Sequence, residues 1–388
     1  MKIRSEPFRL LFAIAAALGV IGVGHFVLFA MGITAISLGA FHAVTQTESF
    51  LLAFAAGFLM TAVPKRTGTR PATALEIGSV TVCILAVPAA KLAGLAWLAH
   101  AFYVIALSLL ARFATARFAA RLGTPEGASR RPPASFVLVV IALVSGVLGG
   151  TIQAAAELTS TPRSLVWLGR TLTTQGVFVL LCLGVGAFFL PLANRGEKAA
   201  DLARDPASMR ALARYGAAGL AIVATFVIEA AGQVREGELA RGAVSAAVLI
   251  GSGALGRPTK PGLHRRLLVV AMACLPLGFA LASLFPAARV AMLHVTFIGG
   301  FATLAFAVAT HVTLGHGGFE DELTRAPAPI VALAAALALA LALRVAALGA
   351  PDGTSRPLAA AAAIWVTGVL VWAAFTVPKM LRAAPKSG

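Results

Sequence analysis

Long apolar runs, broken by short clusters of Pro, Gly, Lys and Arg, recur along the whole chain. Breaks in this pattern predict twelve spans, at 8–32, 42–63, 72–90, 92–111, 134–157, 164–192, 210–231, 239–256, 266–285, 288–312, 327–349 and 357–378. A helix needs about 20 apolar residues to cross the hydrocarbon core, so twelve crossings take up about 240 positions. The remainder is short connections, none long enough for a separate soluble domain. The pattern therefore predicts an all-α polytopic membrane protein, with residues 1–388 forming a single membrane domain. No internal repeat is visible in the residue identities. The Ala-rich stretch 331–342 reads as lipid-compatible helix.

Composition sharpens this reading. The chain is 59% hydrophobic and 12% charged, against about 25% charged in a typical soluble domain, and its mean hydropathy is +0.90. Too little polar surface exists to cover a soluble globule, which excludes a cytosolic enzyme, a disordered tail and a secreted disulfide scaffold. The net charge of +17 raises the question of nucleic acid. The basic residues, however, sit in connections between apolar runs and are not interleaved with aromatics, so no nucleic-acid partner is expected. The expected partner is the lipid bilayer. Cys83, Cys182 and Cys274 stand alone in apolar runs. Without a CxxC or CxxCH pattern, covalent c-type haem attachment and a zinc ribbon are excluded. The first apolar run, about 22 residues, is longer than a signal h-region and reads as a span that stays.

Twelve crossings put both termini on one side. If that side is the cytoplasm, Lys and Arg divide 24 inside against 8 outside. This asymmetry over short loops predicts an N-in, C-in orientation in a cytoplasmic membrane.

Orientation gives each of the seven histidines a depth. His25, His42, His100 and His294 fall toward the outer face, and His264, His311 and His316 toward the inner. An ionisable residue within a span is costly and usually faces a partner or the bundle interior. Two histidines on opposed helices are a usual way to hold a non-covalent, b-type haem in a bundle, and His42 and His294 are the best pair. Gln46 and Ser49 share the helix face of His42 at four and seven residues on, while Glu48 is a candidate for a polar or proton role. Gly299 and Gly300 would admit a flat macrocycle or another helix. Arg170 and Arg289 are candidates to pair haem propionates. His25, His100 and His311 are secondary candidates for polar roles, and Glu157 and Glu229 are expected at solvated helix ends. His294 and His316 lie about 33 Å apart along a helix and cannot share one metal; His311 and His316 form a possible second, inner site.

At these residues the sequence resembles the NnrS family of bacterial membrane proteins. Pro7-Phe8-Arg9-Leu10, residues 42–68, Leu275-Pro276-Leu277-Gly278 and residues 293–316 carry the resemblance. It implies about twelve helices, bound haem and copper, a bacterial inner-membrane location and a part in nitric oxide tolerance. His42, His294 and His316 are the family histidines retained as metal ligands. Other family positions are replaced: Val44 and Thr45 stand for a second histidine and a glutamate of helix 2, Val269 for a histidine of helix 9, and His311 for an arginine. The retained set is enough for a bis-histidine haem and leaves copper open.

Three functions compete. One is a haem protein of the nitrosative-stress response, engaging nitric oxide or a membrane electron donor, with no catalytic residue set expected. The second is a proton-coupled secondary transporter using Glu48, Gln153 and Glu229. The third is a metal- or haem-handling membrane protein without turnover. Helices 2 and 10 also hold the low-spin haem in the twelve-helix subunit of haem–copper oxidases, but spans five to eight here lack the histidines such an oxidase needs for copper.

Overall fold

The computed structural model describes residues 3–34, 39–122, 131–349 and 355–382. Lys2, Arg130 and Lys386, which belong to the predicted inner-side basic set, lie outside the described residues. Among the described residues the regular structure is helical throughout. The long helices are α1 Phe8–Ala30, α2 Gly39–Thr67, α3 Ala74–Leu92, α4 Ala96–Leu122, α5 Phe136–Ala156 and α6 Arg163–Arg195. They continue with α7 Pro206–Ala230, α8 Val234–Gly251, α9 Leu263–Leu284, α10 Pro286–Gly317, α11 Ala328–Ala346 and α12 Ser355–Leu381. Eleven of these are long and apolar enough to cross a membrane. The other, α8, carries Arg235, Glu236, Glu238 and Arg241 within 18 residues. It nevertheless packs between α7 and α9 like the rest. It starts at Val234, five residues before the apolar run that predicted it: Arg235 and Glu236 are exposed at its start, while buried Glu238 and Arg241 are matched by Arg289 and Glu229.

The helices fall into three consecutive groups of four. In each group the second helix packs on the other three: α2 on α1, α3 and α4; α6 on α5, α7 and α8; α10 on α9, α11 and α12. The last helix of each group packs on the first of the next, α4 on α5, α8 on α9 and α12 on α1. The result is a ring with α2, α6 and α10 at its centre. Those three are also the longest, at 29, 33 and 32 residues.

The central helices share two further features. Each contains a π-helical stretch, Thr45–Leu51 in α2, Leu172–Gly176 in α6 and Val295–Ala302 in α10. Each ends on a glycine in the left-handed region, Gly68, Gly196 and Gly318, with φ of 63°, 80° and 75°. His42 and Arg170 both stand 26 residues before their glycine, and His294 stands 24 before its own. A threefold structural repeat is therefore present that the residue identities conceal. Threonines contribute to the π stretches: the Thr303 hydroxyl donates to Ile298 O, five residues back, at 2.8 Å, and Thr47 donates to Ala43 O at 2.8 Å. Such back-bonding competes with the regular ladder.

Where the three central helices meet, aromatic rings fill the core. Phe50 and Phe54 pack on Phe306 at 5.8 and 5.4 Å, and Phe178 on Phe301 at 5.9 Å. Trp372, fully buried, donates its indole N–H to Thr310 at 2.9 Å, so its polar edge is satisfied.

Candidate functional site

At one end of the bundle the starts of α2, α6, α10 and α12 and the ends of α1 and α11 surround a cavity of about 580 Å³. That lies within the usual range for small-molecule and cofactor sites. His42, His294, Arg170 and Arg289, four residues singled out from sequence, all line it, as does Gln46.

The imidazoles are held in a definite way. His42 Nδ1 is 2.8 Å from Gly22 O on α1, and His294 Nδ1 is 2.6 Å from Val290 O one turn back. A carbonyl only accepts, so in each ring Nδ1 carries the hydrogen and Nε2 keeps its lone pair. This is the tautomer that binds a metal through Nε2, with the second nitrogen oriented by a backbone acceptor. Phe26 and Phe297 pack on the two rings at 5.1 and 5.7 Å and give the cavity apolar walls. Gln46 donates to Gly19 O at 3.1 Å and braces α2 on α1.

The π stretch changes which residues face the cavity. Regular helical spacing puts Ser49 beside His42. The extra residue in the π turn rotates the following face, so Phe50 and Leu51 line the cavity instead. Ser49 points to α3 and donates to Ile84 O at 3.2 Å. Gly299 and Gly300 also turn away, against Cys274 and Leu275 of α9. Of the two approaches those glycines were expected to allow, the helix is the one seen.

The remaining predicted residues divide among other places. Glu48 does not reach the cavity; its carboxylate accepts from His100 Nδ1 at 2.9 Å, and both side chains are buried. His25 packs its ring 6.2 Å from that of His42 and shares the Gly22 carbonyl at 3.1 Å. His25 Nε2 is buried without a partner. His311 and His316 do not pair with each other. His311 Nδ1 lies 3.1 Å from His264 Nε2, and His316 lies 3.3 Å from Lys65 Nζ and packs at a tilt against Phe8 at 5.3 Å. Both are at the end of the bundle opposite the cavity, so His316 cannot join His42 and His294 in one metal site. Among the described residues, no three His, Cys, Asp or Glu side chains gather as a ligand set.

Glu229 departs most from expectation. It is 1% exposed, not solvated, and its oxygens accept from Arg241 at 2.6 Å, Arg289 at 2.7 Å and Trp167 at 3.0 Å. Arg289 also donates to Glu238 at 2.6 Å, and Arg241 to Gln175 at 2.8 Å and Thr225 at 3.1 Å. Two glutamates and two arginines thus cancel in charge, which makes their burial tolerable. Arg289 is committed to this cluster even where it lines the cavity. Gln153, a proposed proton-coupling residue, donates to Val166 O at 2.8 Å and serves the α5–α6 junction.

Sequence reasoning missed Arg344 of α11. It lines the cavity and is the sole charged residue of the run 328–346. That isolation within an apolar span was the available signal.

The NnrS protein family model matches residues 2–383. The chain belongs to the NnrS family. It is accordingly an NnrS-like, multi-pass membrane protein, and no curated protein matches it. The family-like blocks of this chain now have physical roles. In Leu275–Gly278, the bare Gly278 admits Thr296 of the α10 π stretch, whose hydroxyl donates to Leu275 O at 3.1 Å. In Pro7–Leu10, Phe8 N donates to Thr61 of α2 at 3.2 Å, and buried Arg9 donates to Met380 O and Arg382 O at 2.6 and 2.8 Å. Gly57 of the α2 block lies against Phe12 of α1. These blocks are packing junctions around the three central helices, and the start of the α2 and α10 blocks supplies the two cavity histidines.

Proposed function

We propose that this NnrS-like protein binds a non-covalent haem in the cavity, where His42 and His294 would hold its iron through Nε2. The observation that carries the reading is that both imidazoles line one cavity of adequate size, each with Nδ1 tied to a backbone carbonyl and Nε2 left for a metal. Bound haem would supply reversible one-electron chemistry and, with one imidazole released, affinity for nitric oxide. The chain's own contribution is to orient two imidazoles, to wall the ring with Phe26 and Phe297, and to balance charge. In this reading the protein resides in a bacterial inner membrane with both termini inside, and the cavity opens on the outer side. There it contributes to nitric oxide tolerance, by binding the gas or by passing electrons from a membrane donor. The proposal assigns no residues to copper.

The test is haem titration of the purified protein in detergent. Wild type should develop a Soret band that His42→Ala and His294→Ala each diminish strongly, while His316→Ala leaves it intact. A colourless wild type under haem-replete expression defeats the reading.

The transporter alternative is less well served. Glu48 is held by a hydrogen bond from His100 and Glu229 by ion pairs to Arg241 and Arg289, and three groups of four differ from the paired repeats of most secondary transporters.

A further inference from the structure

We infer that Arg170 and Arg344 form a two-point anion site at the cavity, built for a ligand that carries two carboxylates. The inference rests on the haem reading above and assigns the two porphyrin propionates, one to each arginine. Three arginines line the cavity, and they differ in what they already hold. Arg289 is already ion-paired twice: Glu238 and Glu229 accept from it at 2.6 and 2.7 Å, and it lies over Trp167 at 5.2 Å. Its charge is cancelled within the protein, so it has little left for a ligand. Arg170 and Arg344, by contrast, have no carboxylate within ion-pair distance among the described residues. No described side chain accepts from either guanidinium. The cavity wall therefore carries two positive charges without a carboxylate partner on two different helices, α6 and α11, with Arg170 exposed and Arg344 half-buried.

An uncompensated guanidinium beside an apolar cavity is unfavourable unless water or an anion satisfies it. Two of them, lining one cavity from separate helices, suit a dianion. Arg presents a planar donor fork suited to a carboxylate. A b-type porphyrin meets both requirements, since its two propionates sit together on one edge and the rest of the ring is apolar. The charge balance then closes, with two propionates against Arg170 and Arg344. Arg289 becomes a positioning residue that ties α10, and with it His294, to α7 and α8.

The experiment compares uptake of haem with uptake of its dimethyl ester, which has the same iron and ring but no carboxylates. Both are titrated into detergent-purified wild type, Arg170→Gln, Arg344→Gln and the double variant, and binding is read from the Soret band. The expected result is that wild type prefers haem over the ester by about 10- to 100-fold. Each single variant should lose part of that preference, and the double variant should lose nearly all of it while still giving a bis-imidazole spectrum with either porphyrin. Equal uptake of haem and ester by wild type overturns the clamp but leaves the haem reading standing. So does full preference in the double variant. A wild type that takes up neither porphyrin overturns both. Anionic phospholipid that co-purifies with wild type and is lost from the double variant, with equal uptake of the two porphyrins, would assign the arginines to lipid and refute the clamp.

Discussion

Arg241→Met is the most demanding test of the buried charge cluster. Arg241 is fully buried and donates to Glu229, Gln175 and Thr225, with its guanidinium 3.6 Å from the Phe226 ring centre. Methionine preserves much of the packing against Phe226 but removes the cation, so the cluster passes from neutral to one net negative charge. Removing one member of a buried ion pair costs about 3–5 kcal/mol, because the other charge is stranded. The upper part of that range is softened here by Arg289 and Trp167, which still donate to Glu229 Oε1. A loss of about 3 kcal/mol is therefore expected. Glu229→Gln in the same background removes the stranded charge. The double variant should be more stable than Arg241→Met by about 1–3 kcal/mol, the size of coupling expected for contacting residues. Unfolding in mixed micelles of increasing SDS content, followed by tryptophan fluorescence, measures both. A single-variant loss below about 1 kcal/mol, or a double variant equal to the sum of the singles, would refute the claim that these four charges are dry and mutually cancelling.

Further outcomes follow from other contacts. Gly22→Val should lower haem affinity on the order of 10–100-fold without touching a ligand, since a Cβ there would meet the side chains of Thr45 and Gln46 and displace the carbonyl that orients His42; haem titration checks it, and unchanged affinity counts against the tether. Glu48→Ala should cost about 1–3 kcal/mol by leaving the buried His100 Nδ1 without its acceptor, and adding His100→Phe should recover part of it in the same SDS unfolding assay. Thr73→Ala should cost about 1 kcal/mol, because the Thr73 hydroxyl and the Glu76 carboxylate form a reciprocal capping box at the start of α3. His264→Gln should leave the Soret band unchanged, as the His264–His311 pair lies at the far end of the bundle.

Much of the architecture was legible because hydropathy alone decides where a helix can sit in lipid. The exceptions have physical causes. The start of α8 was misplaced because Arg235, Glu236 and Glu238 look like loop residues until α9 supplies the Ser283 carbonyl to Arg235 and α10 supplies Arg289 to Glu238. The threefold repeat was hidden because the middle copy carries Arg170 where the other two carry His42 and His294, and the spacing to the closing glycine is 26, 26 and 24 residues. His42, His294, Arg170 and Arg289 were legible as a group from depth along the helices and from family resemblance. Which of their neighbours join them was not. A π turn shifts the face by one residue, exchanging Ser49 for Phe50 and Leu51, and no spacing rule for a regular helix anticipates that. Arg344 escaped notice because a lone arginine near a helix end resembles a residue reaching for headgroups, until the cavity beside it is seen. Glu229 was misread for the complementary reason, that its cations come from elements 12 and 60 residues away.

The central claim is that two imidazoles, from α2 and α10, ligate one iron. Low-temperature electron paramagnetic resonance of the oxidised, haem-loaded protein tests it most directly. The account predicts the low-spin signal of a bis-imidazole ferric haem in wild type, converted to a high-spin signal by His42→Ala and likewise by His294→Ala. A bis-imidazole signal that persists in either variant would contradict it.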